Sequence, residues 1–443
     1  MLVLRNDLDF HNTPIFYKLK HCAMMDAKEE IPMKKQTLWC KNYTLLMLAT
    51  TLGAIGGIAG SYAMSFLVFD ETGSTLAAGF LVAIQILPHF LLPIVVAPWM
   101  DRMPRKPFLV GGDLVGGLLY GLAGIYLNHF EFSYIVYLAF SLVISSVNAF
   151  DSLAFNCIFP RTIPEGFEDK GYALSSTLYS VLNVLIMPVA ALLMDHIGVG
   201  NILLIQCGLS ILAAITENQI KIDEMYRNDE HNAGFSLWLQ DVKDGLRYLK
   251  GERGLLNIYA YDAVNNATFL GYGTILVAFF RTFPGYSAQG YAFFSAAECI
   301  GRTIGGAVRY RSEMKPQHRR RFVYFVQQFY NFMDAILLWL PYPVMLVNRV
   351  FCGFLGINSA TVRSASINRY IPEEYRARTN AVSGAIIYAA GSIGALLIGA
   401  LGEVMDLRLS ITVVSIVGSV ICWLTVGRNK EDLDKIYLHQ TEE

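Results

Sequence analysis

Charged side chains are scarce in this sequence: they make up 16% of its 443 residues, against about a quarter in an average soluble domain. Hydrophobic residues reach 54% and the mean hydropathy is +0.41, a balance that points away from a soluble globular chain and toward a polytopic membrane protein. The seven cysteines stand singly, with no CxxC and no metal-ligand spacing. Neither a disulfide framework nor a metal site is expected from them, and they read as small buried hydrophobes. Residues 1–35 are polar and lack an apolar core with a small-residue cleavage site, so no secretory signal is expected there; Met25 and Met33 offer alternative starts. The absence of GxxxxGK[ST], HExxH and GxSxG removes the common signatures of nucleotide hydrolysis, zinc proteolysis and serine hydrolysis. No cofactor is expected, and a net charge of −1 leaves no electrostatic footprint for nucleic acid.

What the chain does have is long apolar runs. A bilayer crossing needs about 20 largely apolar residues, and windows of that size fall near 42–69, 75–98, 107–127, 132–159, 172–194, 197–217, 255–280, 288–308, 322–340, 343–367, 377–402 and 408–427. The expected fold class is therefore an all-α polytopic membrane protein with twelve transmembrane helices. The turns at 70–74, 128–133, 195–200 and 340–343 carry no Lys or Arg, and only Arg281 and Arg408 fall on their side. The remaining basic residues gather in the alternate turns, which the positive-inside rule places in the cytoplasm together with both termini.

The longest interior polar stretch divides the chain into a cytoplasmic N-terminal segment (1–41), a six-helix lobe (42–217), a cytoplasmic linker (218–254), a second six-helix lobe (255–427) and a cytoplasmic tail (428–443). In the linker, "FSLWLQDVKDGLRYLKGERG" (235–254) spaces its apolar residues as an amphipathic helix does. That fits a helix lying on the membrane surface or a packed linker helix equally. The two lobes carry a repeat: "RTIPEGFEDKGYALS" from Arg161 and "RYIPEEYRARTNAVS" from Arg369 coincide at six positions at a constant offset of 208. Both lie in the turn between the fourth and fifth spans of their half, the mark of two related lobes.

The turn after the second span reads "APWMDRMPRK" (97–106). With the twelve spans and the six-plus-six repeat, it resembles the major facilitator superfamily of transporters, whose motif there is G-x-x-x-D-R-x-G-R-R or R-K. Asp101, Arg102, Arg105 and Lys106 match in place, whereas Ala97 and Pro104 replace the two glycines. The resemblance implies that Asp101 sits at the N-terminal end of the eleventh helix, where free backbone N–H groups and the helix dipole favour a carboxylate. It further implies that Asp101 and Arg102 latch the two lobes. Pro104 fixes a backbone angle that glycine leaves free, which predicts a stiffer turn. The stretches 69–98, 110–117 and 236–266 narrow the resemblance to bacterial twelve-span exporters of the macrolide efflux and siderophore export type.

Ionisable residues inside a span cost roughly 3 kcal/mol on insertion scales and are candidates for function by default. Asp113, Asp151, Asp262, Glu298, Arg302, Asp334 and Arg349 are such residues here. The resemblance puts helices 1, 4, 7 and 10 along the central path, which favours Asp151, Asp262 and Arg349, with Glu298 and Arg302 next, as substrate or proton-coupling residues. Glu298 and Arg302 share one helix face and are also readable as a self-neutralised structural pair. Asp334, on a peripheral helix, is expected to have a structural partner. Asp113 is expected to pair with Arg102 or Arg105 in the gating turn, with a proton role as the alternative. His89, the histidine deepest in a span, reads either as a packed residue or as a titrating one.

These features imply a secondary active transporter working by alternating access, driven by an ion gradient, with one substrate site between the lobes. Proton-coupled export of a small amphipathic compound is the leading expectation, and proton-coupled uptake of a nutrient the alternative. A membrane enzyme or a non-transporting sensor is remote. The expected partners are a small molecule, the lipid bilayer and protons, and the expected working unit is a monomer.

Overall fold

The computed structural model describes residues 37–100, 103–164, 167–222, 235–311 and 314–439. Nearly all of them are helical: α1 (Lys41–Thr72), α2 (Thr75–Met100), α3 (Lys106–His129), α4 (Tyr134–Thr162), α5 (Glu168–Asn218), α6 (Phe235–Gly251), α7 (Arg253–Thr282), α8 (Ala288–Arg311), α9 (Pro316–Ile336), α10 (Tyr342–Tyr370), α11 (Glu373–Val404), α12 (Leu407–Cys422) and α13 (Lys430–Leu438). Every one of the twelve apolar windows falls on this series. Eight of the helices are long and apolar enough to cross a membrane. One of them, α5, holds two windows in its 51 residues, a length of about 75 Å if straight and more than twice a hydrocarbon core. It doubles back at Gly198, whose φ of 77° is open to glycine and strained for a residue with a Cβ.

Helix ends collect on two faces. On one, Asn42 Nδ2 donates to Lys221 O (2.6 Å), Tyr43 OH to Gly171 O (3.1 Å) and Tyr370 OH to Glu252 Oε2 (2.7 Å). This face carries the basic turns. On the opposite face Tyr134 OH donates to Ala77 O (2.8 Å), Asn128 Nδ2 to Asn201 Oδ1 (2.9 Å) and Tyr342 OH to Gly290 O (2.9 Å).

Within the first lobe, glycines let helices approach closely. A Cβ on Gly112 would lie 2.7 Å from the Cβ of Asp151, and one on Gly117 would lie 2.9 Å from that of Ser210. Small residues take this part in membrane bundles because lipid tails supply no hydrophobic drive between helices. The repeat shows in the helix bounds: at the offset of 208, α4 and α10 begin and end at equivalent positions, Tyr134 with Tyr342 and Thr162 with Tyr370.

The linker helix α6 packs on the second lobe. Tyr248 stacks on Tyr375 with centroids 4.7 Å apart, Leu249 is buried, and Gly245 lies against the Arg378 backbone. The segment after α12 is likewise no loose tail: α13 buries Leu433, Ile436 and Tyr437, and Asp434 accepts from Arg320 Nε at 2.5 Å.

Candidate functional site

A cavity of about 640 Å³ opens inside the first lobe, and among the described residues it is lined by α1, α3, α4 and both halves of α5. Asp113, Asp151 and Glu217 all line it. They form a ladder from the basic face. Glu217 sits at the end of α5, Asp113 seven residues into α3 and Asp151 eleven residues from the end of α4. At about 1.5 Å per residue, those depths are near 10 Å and 16 Å for the two aspartates.

Among the described residues, no Lys or Arg nitrogen lies within 4.0 Å of these three carboxylates. Asp151 Oδ1 and Glu217 Oε2 are buried without a hydrogen-bond partner, and Glu217 is only 3% exposed. Asp113 was expected to pair with Arg102 or Arg105, and Arg102 lies outside the described residues. The Asp113 side chain faces the cavity from α3. Glu217 was not foreseen at all, being the last residue of a window. Its signal is the pair Ala213 and Ala214 one turn earlier, which places it on a buried stripe.

The second lobe treats its charges differently. Arg349, 4% exposed, donates from Nη2 to Asp334 Oδ1, and its Nη1 lies 3.8 Å from Glu298 Oε2. Glu298 also accepts from Tyr330 OH (3.2 Å) and lies 3.9 Å from Arg302. The Phe294 and Tyr330 rings flank the guanidinium at 5.5 and 5.6 Å, a cation–π enclosure. Arg349 is thus paired with Asp334, which was expected to have a structural partner. Asp262 is paired as well, with Arg363 at 3.0 Å. Arg363 went unnoticed in the sequence because it lies in the same window as Arg349 and close to the cationic end at Arg369.

Asp101 and Arg102 lie outside the described residues. Arg105 precedes α3, and Lys106 Nζ donates to Asn218 O at 2.7 Å, a cation set on the negative end of α5. His89 is part-buried on α2 and does not line the cavity.

The lobes meet on the face opposite the basic turns. Arg281 Nε donates to Asp70 Oδ1 (2.7 Å), and Gln289 Nε2 to Asp195 Oδ2 (2.9 Å). Tyr62 OH donates to Ala288 O. Glu403, at the end of α11, accepts from Ser74 Oγ (2.6 Å), Thr75 Oγ1 (3.2 Å) and Leu76 N (3.1 Å). It caps the start of α2 across the lobe boundary, where a carboxylate meets unpaired N–H groups and the positive end of the dipole. Gly79 and Gly399 bring α2 and α11 into backbone contact beside it.

The model of the Major Facilitator Superfamily matches residues 44–329, more than half of the chain. The chain belongs to the major facilitator superfamily. Across 380 residues it is 21% identical to macrolide efflux protein A of Streptococcus pyogenes, covering 82% of this chain and 90% of that protein. It is also 21% identical over 379 residues to the multidrug efflux pump Tap of Mycolicibacterium fortuitum, covering 84% of this chain and 91% of the pump. In fold it is similar to the nucleoside transporter NupG, with a TM-score of 0.71 at 11% identity over 88% of this chain and all of that one. The superfamily fold accounts for the two six-helix lobes, and membership makes the protein a membrane transporter of small molecules rather than an enzyme.

Proposed function

We propose that this transporter exports amphipathic, drug-like compounds from the cell in exchange for protons, by alternating access. The basic face is then the cytoplasmic one, both termini lie in the cytoplasm, the host membrane is the cell membrane, and one chain suffices. The observation that carries the reading is the ladder of Asp113, Asp151 and Glu217, which line a cavity with no cationic partner among the described residues. Uncompensated carboxylates at membrane depth are costly and mark proton and substrate pathways. The similarity to macrolide and multidrug efflux proteins supports export over uptake.

Glu403 supports the alternating-access part. It ties the end of α11 to the start of α2 on the outer face. By resemblance, Asp101 ties the end of α2 to the start of α11 on the inner face. One helix pair would then carry the same latch at each end, and only one latch closes at a time.

The test is uptake of a radiolabelled macrolide into inverted membrane vesicles under an imposed pH gradient. Acid-inside vesicles are expected to accumulate it, and Asp151→Asn and Glu217→Gln to lose accumulation by about tenfold or more. Accumulation that persists in both amide variants, with the gradient still required, would overturn the assignment of the proton site.

A further inference from the structure

We infer that Arg349 is the positioning residue of the closed outer face: through Phe294 and Glu298 it sets the side of α8 that seals the boundary between the lobes. The inference rests on the alternating-access reading above. The seal itself is aromatic and tightly packed. Tyr291 of α8 lies edge-on to Phe66 of α1 at 5.5 Å and 6.1 Å from Tyr62, and Tyr62 OH donates to Ala288 O one turn earlier on α8. Ala190 and Ala191 of α5 are buried in one core with Ala288 and Ala292 of α8. Helix α8 therefore brings much of what the second lobe adds to the seal.

Tyr291, Phe294 and Glu298 follow one another at spacings of three and four, which puts them on one face of α8. Phe294 stacks on Tyr291 at 6.3 Å and lies 5.5 Å from the guanidinium of Arg349. One turn further in, Glu298 lies 3.8 Å from the same guanidinium. A single side chain of α10 thus grips two successive turns of the sealing face. Asp334 and the Tyr330 ring hold Arg349 in turn from α9.

Elsewhere α8 meets α10 with little that fixes its rotation. A Cβ on Gly301 would come 2.1 Å from Val350 O, and one on Gly353 would come 2.2 Å from Glu298 O, so backbone lies on backbone. Such contacts bring helices close while interlocking few side chains. Tyr342 OH anchors the first turn at Gly290 O (2.9 Å), and Asn358 Nδ2 the inner end at Gly305 O (3.1 Å). Both hold carbonyls, whereas Arg349 holds the side chains of the sealing face. It is 4% exposed, and a cation on a ring gains more when desolvated. Packed side chains carry a bias between sites where an element has two arrangements; the sealed and the parted boundary are those two.

Double electron–electron resonance between labels at Glu71 and Val404, exposed near the outer ends of α1 and α11, reads the boundary in the purified full-length protein. Phe294→Leu removes the ring and no charge, and Asp334→Leu/Arg349→Leu removes the cation while keeping charge balanced. Each is expected to raise the long-distance population by about fivefold or more. The double variant should do so with a melting temperature close to that of the parent, which a purely charge-balancing pair would not do. Asp334→Asn/Arg349→Gln takes its place should it elute as aggregate on size exclusion. Parent distances in either folded variant would overturn the inference. Arg281→Ala, which breaks the ion pair to Asp70, separates the outcomes: lengthening there alone sinks the part given to Arg349 and leaves alternating access standing. Lengthening in both relay variants, without pH-driven macrolide accumulation by the parent, would do the reverse.

Discussion

At the repeat offset of 208, Asp151 of the first lobe falls on Ser359 of the second, and Arg349 of the second falls on Ser141 of the first. Both serines are buried, and neither hydroxyl has a hydrogen-bond partner. The helices that carry these residues, α4 and α10, match end for end, so the difference lies in side chains on a shared frame. In the second lobe each in-span carboxylate has an arginine: Asp334 and Glu298 share Arg349, and Asp262 holds Arg363. In the first lobe three carboxylates face a cavity with none among the described residues. Among the described residues the two halves of the duplicated fold thus differ: one neutralises its buried charge with arginines, and the other leaves carboxylates facing a cavity, where the proposed proton exchange would use them.

The contrast predicts opposite responses to mutation. The largest effect is expected from Asp334→Ala, which strands Arg349 in an apolar core. Losing one partner of a buried pair costs about 3–5 kcal/mol, to be seen as a marked fall in melting temperature by size exclusion after heating. The double variant Asp334→Leu/Arg349→Leu should recover much of that loss, and if it does not, the pair does more than balance charge. Next comes Asp262→Ala, where both partners keep some solvent contact and about 2–3 kcal/mol is expected. The exchange Asp262→Arg/Arg363→Asp should restore part of it in the same heating assay.

First-lobe acids should behave in the opposite sense. The triple variant Asp113→Asn/Asp151→Asn/Glu217→Gln is expected to stay within about 1 kcal/mol of the parent or to exceed it, because no cation is left behind. It should still lose gradient-driven transport. If it melts as early as Asp334→Ala, the division of labour between the lobes fails. The smallest effect belongs to the ion pair that joins the lobes on the outer face. Arg281 and Asp70 are part-exposed, so Arg281→Ala should cost under about 1 kcal/mol. It should nonetheless lengthen the distance between spin labels at Glu71 and Val404, measured by double electron–electron resonance, and high salt should mimic it.

Much of the frame was legible from apolar run lengths and the alternation of basic turns, since the bilayer imposes both on any chain that crosses it. Arg281 stood out as a rare cation on its face, but its partner Asp70, 211 residues away, did not. The isolated position of Asp334 suggested a structural partner, and Arg349 is that partner. For Asp113 the sequence offered Arg102 or Arg105 as partner, and only the fold shows that the side chain also lines the first-lobe cavity. Glu217 and Arg363 escaped because window edges and neighbouring positive charges hide single residues. The gating pair Asp101 and Arg102 rests on the motif alone.

By itself the sequence determined how many apolar crossings the chain offers, which turns share a face, and that its halves are related, because these depend on composition and spacing along the chain. Only the tertiary structure decided which buried charges are compensated. An acid inside a membrane span is inert or functional according to whether another helix brings an arginine to it, and no periodicity within one helix carries that information.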